Sequence, residues 1–375
     1  MNLNKFEEIL LREPKFRIKQ AYQAVFRDCI DNFSAIKTLP IALREKLNKE
    51  CSLKIEAANF ISKKGDSEKA LITLSDGEKI ETVLMRHKDL RNTVCVSSQV
   101  GCPMNCAFCA TGKLGLKRNL TFFEILEQVL FFQRKLKKEK AFVTNVVFMG
   151  MGEPLLNLDF VLEAIKILND KDFFNIGARK ISVSTCGIVP GIKKIMDFPL
   201  QINLALSLHA PMDELRSILM PVNKNYPLSK VFDAINEYIK KTNRKVMMEY
   251  LLIGGVNDSL GHAKKLAELL NKYLARPFMV NLIPYNYSKI EFNDLLREEK
   301  FNETKILKPI LRLPATEGRQ VQDDRKIEFR APNSGDVNDF RDYLVEHGVD
   351  AVIRHRFGAD IAGACGQLAL KTACN

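Results

Sequence analysis

From about residue 93 the sequence repeats one pattern, a short apolar run followed by an amphipathic stretch of helical period. Strand-like runs fall at 94–97, 142–148, 181–184, 202–208, 246–252, 278–283 and 351–353. Helices are predicted between them. One begins at Thr121, where Glu124 completes a capping box ahead of Ile125, Val129 and Phe132. Others cover 158–168, a stretch from Ser229, 263–274, and about 337–347, the last stopped by Gly348. Strands joined by crossover helices lie parallel with the helices outside, in an open sheet or a barrel. Ligand sites in such folds gather at the carboxyl ends of the strands.

The chain ahead of this pattern differs. Residues 1–52 read as a helical accessory domain in which Phe6, Ile9 and Leu10 share a face, as do Ala21, Val25 and Cys29. Residues 53–92 read as a small β module, a hairpin turning at Ser75-Asp76-Gly77-Glu78. Residues 93–375 form the core, interrupted by a charged insertion at about 288–328.

The net charge of +12 favours a polyanionic partner. Arg17, Lys19, Lys113, Lys117, Arg118 and the run Arg134-Lys135-Leu136-Lys137-Lys138 are candidates to meet phosphates, although such runs are usually solvated helix faces. No apolar run has the length of a membrane span, and Met1 to Phe16 lack a signal peptide's apolar centre, so a cytoplasmic protein without membrane contact is expected. Nine cysteines in a reducing compartment point to metal or thiol chemistry rather than structural disulfides. Cys29, Cys51 and Cys186 sit in apolar surroundings and read as core residues, and Cys374 as incidental.

The strongest chemical signal is Gly101-Cys102-Pro103-Met104-Asn105-Cys106-Ala107-Phe108-Cys109. A closed zinc site or an ordinary four-iron cluster takes four protein ligands. Three thiolates leave one iron open to a ligand's amino and carboxylate groups. The rival is zinc, with Cys95 as fourth ligand.

This spacing, with an aromatic residue before the last cysteine, resembles the radical S-adenosylmethionine superfamily. Cys95-Val96-Ser97-Ser98-Gln99-Val100-Gly101-Cys102, Ala110-Thr111-Gly112 and Ala364-Cys365-Gly366-Gln367-Leu368 narrow the resemblance. Together they resemble the dual-specificity methyltransferases of adenosine carbon 2 in 23S rRNA and tRNA, and their C-8 methylating resistance relatives. The resemblance covers nearly the whole chain.

It implies an α/β radical SAM fold, a partial (β/α)6 TIM-like barrel. It also implies one [4Fe-4S] cluster on Cys102, Cys106 and Cys109, and two S-adenosylmethionine molecules per turnover. Gly152, Glu153, Ser184, Ser207, Leu208, His209 and Asn286 match the family's cofactor contacts. Cys365 matches the cysteine that is methylated and carries the methyl group to RNA. Cys95 matches its partner, which resolves a protein–RNA adduct by forming a disulfide, and Glu81, in Glu81-Thr82-Val83, the proton acceptor. A reductase system such as flavodoxin would supply electrons to a monomeric enzyme. Read alone, these residues are blander: Cys365 a packed thiol, Cys95 a strand cysteine, Glu81 an exposed strand carboxylate, Ser184 and His209 structural.

The chain departs from the family at Ala362-Gly363, where Asp-Ala is commoner, and in the 288–328 insertion. Glu153-Pro154-Leu155 resembles the C-2 enzymes, whereas the C-8 relatives tend to carry Ala after that Glu. A zinc-stabilised RNA-binding protein and a radical enzyme acting on protein are the remaining rivals.

Overall fold

The computed structural model describes residues 3–286 and 329–369. The 288–328 insertion and Cys374 lie outside these residues.

Helices α1 (Leu3–Leu10), α2 (Lys15–Tyr22) and α3 (Ile41–Glu50) form the amino-terminal layer. A three-stranded antiparallel unit follows: β1 (Glu56–Ile61), β2 (Ser67–Thr73) and β3 (Lys79–Arg86). The Asp76-Gly77 tip turns where expected, with Gly77 at φ +85°. Strand β1 was not anticipated. It is an edge strand whose residues are mostly exposed, so it lacks a clean apolar alternation.

The repeating part runs β4 (Asn92–Cys95), β5 (Gln99–Gly101), β6 (Leu116–Asn119), α4 (Phe122–Lys138), β7 (Asn145–Phe148), α5 (Leu158–Asn169), β8 (Ile181–Thr185) and α6 (Val189–Met196). It continues with β9 (Asn203–Ser207), α7 (Asp213–Leu219), α8 (Leu228–Thr242), β10 (Val246–Leu252), α9 (Leu260–Tyr273), β11 (Phe278–Pro284), α10 (Ser334–Glu346) and β12 (Ala351–Ile353). The main sheet is ordered β1-β2-β3-β4-β7-β8-β9-β10-β11-β12, and every pairing from β4 to β12 is parallel. Its ends are not joined among the described residues, so the barrel is partial. The hairpin unit is hydrogen-bonded onto the barrel wall through β3 and β4.

Side-chain alternation sorts the two faces. Val146, Val183 and Leu204 are buried on the helix side. Between them Val147, Ser182, Ser184, Asn203 and Ser207 stay partly open on the inner side. Helix α4 packs Ile125, Val129, Phe132 and Leu136 inward, each such side chain worth roughly 1.5–3 kcal/mol. Its capping box forms as expected, with Thr121 Oγ1 accepting from the Glu124 N–H at 3.3 Å. Register places Lys69, Val83 and Cys95 abreast on the inner face, with Glu81 two residues along from Val83. The same face continues through Val147, Ser182 and Asn203, and Ser207, Glu249 and Asn281 form a further row on it.

Candidate functional site

The cysteine loop joins β5 to β6 across the carboxyl ends of the barrel strands. Gly101 starts it at φ +80°, where a Cβ would lie 1.8 Å from the Gly115 carbonyl oxygen. The Cys102 N–H donates to that oxygen (2.9 Å) and the Ala107 N–H to Leu219 O (2.9 Å). Cys102, Cys106 and Cys109 lie within electrostatic reach of one another. Burial pushes the Cys102 thiol up to about 12 and Cys106 well above its ordinary value, with their neighbours' charges adding. Cationic iron would remove that penalty by binding thiolate. Among the described residues no three Cys, His, Asp or Glu side chains gather as a single ion requires.

The Cys95 thiol, raised to about 12 by burial, lies within electrostatic reach of Cys365. The segment bearing Cys365 docks on the cysteine loop: the Ala110 N–H donates to Gly366 O (2.8 Å) and Thr111 Oγ1 to Leu368 O (2.7 Å). Gly366, at φ +79°, leaves only 3.3 Å between a would-be Cβ and Phe108 O. Water reaches Cys365, yet surrounding protein pushes its thiol up to about 12, with Cys95, Cys109 and Glu249 adding. Accessibility is what governs substrate contact, so Cys365 is reachable. The structure thus brings together two thiols 270 residues apart in the chain and sets them beside the nest.

The other anticipated residues lie at successive strand ends. Glu153, after β7, is buried and its carboxyl is raised by that burial. Its two oxygens accept from the Leu155 N–H (3.0 Å) and the Cys186 N–H (2.8 Å). Gly152, at φ +102°, lets the chain pass Gln99, whose Cβ a side chain would meet at 2.6 Å. Ser184 and Ser207 face the interior. The Leu208 side chain is wholly buried and its N–H and carbonyl are engaged by Glu249 O and Arg216. His209 Nδ1 accepts from the Leu251 N–H (3.0 Å), and burial lowers its imidazole to about 3, so the ring is neutral with its proton on Nε2. Asn286 is buried just beyond β11.

Glu81 is not an exposed strand carboxylate. It is fully buried, and its Oε1 accepts from Lys69 Nζ at 2.7 Å, with Lys69 itself only 2% exposed. Its backbone carbonyl takes the Ser97 hydroxyl (2.6 Å), which places Glu81 level with the loop leaving Cys95.

Sequence reasoning missed several residues. Cys186, read as plain core, lies within electrostatic reach of Glu153 and Cys106. Glu249, raised by burial, accepts from Asn281 Nδ2 (2.7 Å), while Asn281 Oδ1 is buried without a partner. Arg216 is completely buried and ties the ends of β8 and β9 together. The one available signal was a polar residue inside an apolar strand, as at Glu249 and Asn281.

Most of the basic residues named above have partners within the protein. Lys117 pairs with Glu78, Arg118 with Asp76 and Glu124, Arg17 with Glu13, Lys19 with Asp172 and Lys135 with Glu68. Arg134 holds the Leu53 and Ile30 carbonyls. No helix among the described residues is long and apolar enough to cross a membrane.

A parallel half-barrel with a three-cysteine loop over its carboxyl end defines a radical SAM protein, and residues 96–269 match the model of the radical SAM superfamily. The chain is 40% identical to a "Probable dual-specificity RNA methyltransferase RlmN" of Dictyoglomus thermophilum, over 95% of this chain and 91% of the relative. It is likewise 40% identical to the "Dual-specificity RNA methyltransferase RlmN" of Nautilia profundicola, over 95% and 93%. A crystal structure of a radical SAM methyltransferase from Sphaerobacter thermophilus matches with a TM-score of 0.82 at 37% identity, covering 99% of this chain and 98% of that one. The chain belongs to the RlmN family of radical SAM RNA methyltransferases.

Proposed function

We propose that the protein methylates carbon 2 of adenosine in 23S rRNA and tRNA through a methylated Cys365 and a transient protein–RNA adduct. The observation that carries this reading is the Cys365–Cys95 pair set against the cysteine loop.

Cys102, Cys106 and Cys109 would hold the [4Fe-4S] cluster, leaving one iron for S-adenosylmethionine, which Gly152, Glu153, Ser184, Ser207, Leu208, His209 and Asn286 would surround. Bound there, cluster and cofactor supply a 5′-deoxyadenosyl radical, electrons coming from a donor such as flavodoxin. The chain's own work is nucleophilic and acid–base. Cys365 Sγ, losing its proton, displaces the methyl group of one S-adenosylmethionine. Adenine carbon 2 is electron-poor and does not attack a sulfonium methyl itself, so a thiol carrier is needed. Once a hydrogen atom has been abstracted from the S-methyl group, its carbon would bond carbon 2, joining Cys365 to the RNA as a radical adduct whose unpaired electron would return to the oxidised cluster. Glu81, held by Lys69, accepts the proton from carbon 2. Cys95 Sγ, losing its proton, then attacks Cys365 Sγ; the carbon–sulfur bond breaks, the released carbon takes up a proton to become the methyl group, and the disulfide left behind is reduced by the electron donor before the next cycle. A full cycle consumes two cofactor molecules. The enzyme is read as a cytoplasmic monomer.

The test is trapping. Cys95→Ala should accumulate a covalent protein–RNA species on denaturing gels, and Cys365→Ala should form neither adduct nor product. Normal turnover by Cys95→Ala without adduct would defeat the two-thiol scheme.

A further inference from the structure

Arg216 on α7 has 0% exposure, and its side-chain hydrogen bonds all go to uncharged acceptors. Its Nε donates to Leu208 O (3.1 Å), Nη1 to Asn223 Oδ1 (2.8 Å), and Nη2 to Cys186 O (2.7 Å) and Ser207 O (3.0 Å). All four acceptors are neutral dipoles. They satisfy the donors without cancelling the charge, and a buried cation whose direct partners are all neutral is costly.

The groups that could offset it are specific. Arg216 lies within electrostatic reach of the Cys186 and Cys106 thiols, and of Asp213. The loop bearing Cys106 is fastened to the same helix through the Ala107 N–H and Leu219 O. The Asp213 carboxylate is engaged by Asn223 Nδ2 (2.9 Å) rather than by the guanidinium. Held on iron as a thiolate, Cys106 would add negative charge on the side of the helix to which its loop is fastened. Three thiolates outweigh the positive charge of an iron–sulfide core, and the assembly grows more anionic on accepting an electron.

We propose that Arg216 is a positioning residue that provides the buried countercharge for the thiolate-bound cluster, favouring its reduced form, while fastening the ends of β8 and β9. This rests on the reading that Cys106 is a cluster ligand. It explains why a guanidinium, rather than neutral amides, joins the strand ends behind the loop. A fixed cation beside the cluster eases reduction.

The experiment reconstitutes wild type, R216Q, R216M and R216K anaerobically with iron and sulfide, measures iron and sulfide content, and then titrates the cluster reductively under electron paramagnetic resonance. Both neutral variants should move the reduced-to-oxidised equilibrium about tenfold toward oxidised, which is about 59 mV for a one-electron couple. R216K keeps the charge and should stay within about threefold of wild type, even with a lower thermal midpoint. Loss of cluster loading in both neutral variants but not in R216K also supports a countercharge. Unchanged potentials in R216Q and R216M overturn the proposal. So does a shift in R216K as large as theirs, or loss of loading in all three, which marks a purely structural clamp. If wild type itself assembles no cluster, the cluster reading fails instead.

Discussion

Replacing Lys69 by Met should destabilise the barrel wall by about 3–5 kcal/mol, the range for removing one partner of a buried ion pair. The pair is sealed: Nζ and Oε1 are 2.7 Å apart, and the two side chains are 2% and 0% exposed. Met keeps the apolar stem that packs near Phe60, where the Lys69 ammonium lies 5.2 Å from the ring centroid. The loss is therefore chiefly the charge that meets Glu81 Oε1 at 2.7 Å. Glu81→Gln removes the negative partner in the same way. The double variant removes both charges, so its cost should be well below the sum of the singles. Guanidinium unfolding of all four proteins gives the coupling, with equal m-values showing that the same transition is read. A cost under about 1 kcal/mol for Lys69→Met, or strict additivity, would refute the sealed-pair argument.

Gly101→Ala should abolish cluster loading, since its Cβ would collide with Gly115 O at 1.8 Å and displace Cys102; iron content after reconstitution reads this. His209, neutral in the fold with its pKa lowered to about 3, leaves the unfolded chain binding the extra proton below its ordinary value of about 6.5. Stability should therefore fall as pH drops from about 6.5 toward 3, by up to about 1.4 kcal/mol per pH unit from this group. His209→Gln should flatten that slope, and an unchanged slope would exclude His209 as its source. Asn223→Ala, which strips Arg216 Nη1 of its acceptor, should lower the thermal midpoint by several degrees.

The barrel was legible because its signals are local. The 3.6-residue and two-residue periods, the Thr121 capping box and the Asp76-Gly77 turn each lie within a few residues. The cysteine loop was legible for the same reason. What stayed hidden depends on contacts between distant segments. Arg216 looks like an ordinary polar residue of a short helix, and only the meeting of α7 with β8 and β9 buries it. Lys69 and Glu81 look like exposed charges on a hairpin, and only the joining of β3 to β4 turns their face into the barrel wall. Cys186 passed as core because its apolar neighbours in sequence say nothing of Glu153 and Cys106. Cys365 and Cys95 were paired through family resemblance, since no period links residues so far apart.

The central claim is that Cys365 carries a methyl group to adenosine carbon 2. The most direct measurement incubates reconstituted wild type and Cys365→Ala with S-adenosylmethionine, a reductant, and 23S rRNA or tRNA, then digests the RNA and analyses nucleosides by mass spectrometry against authentic standards. The account predicts 2-methyladenosine from wild type on both RNAs and none from Cys365→Ala. 8-Methyladenosine as sole product, or undiminished methylation by Cys365→Ala, would contradict it.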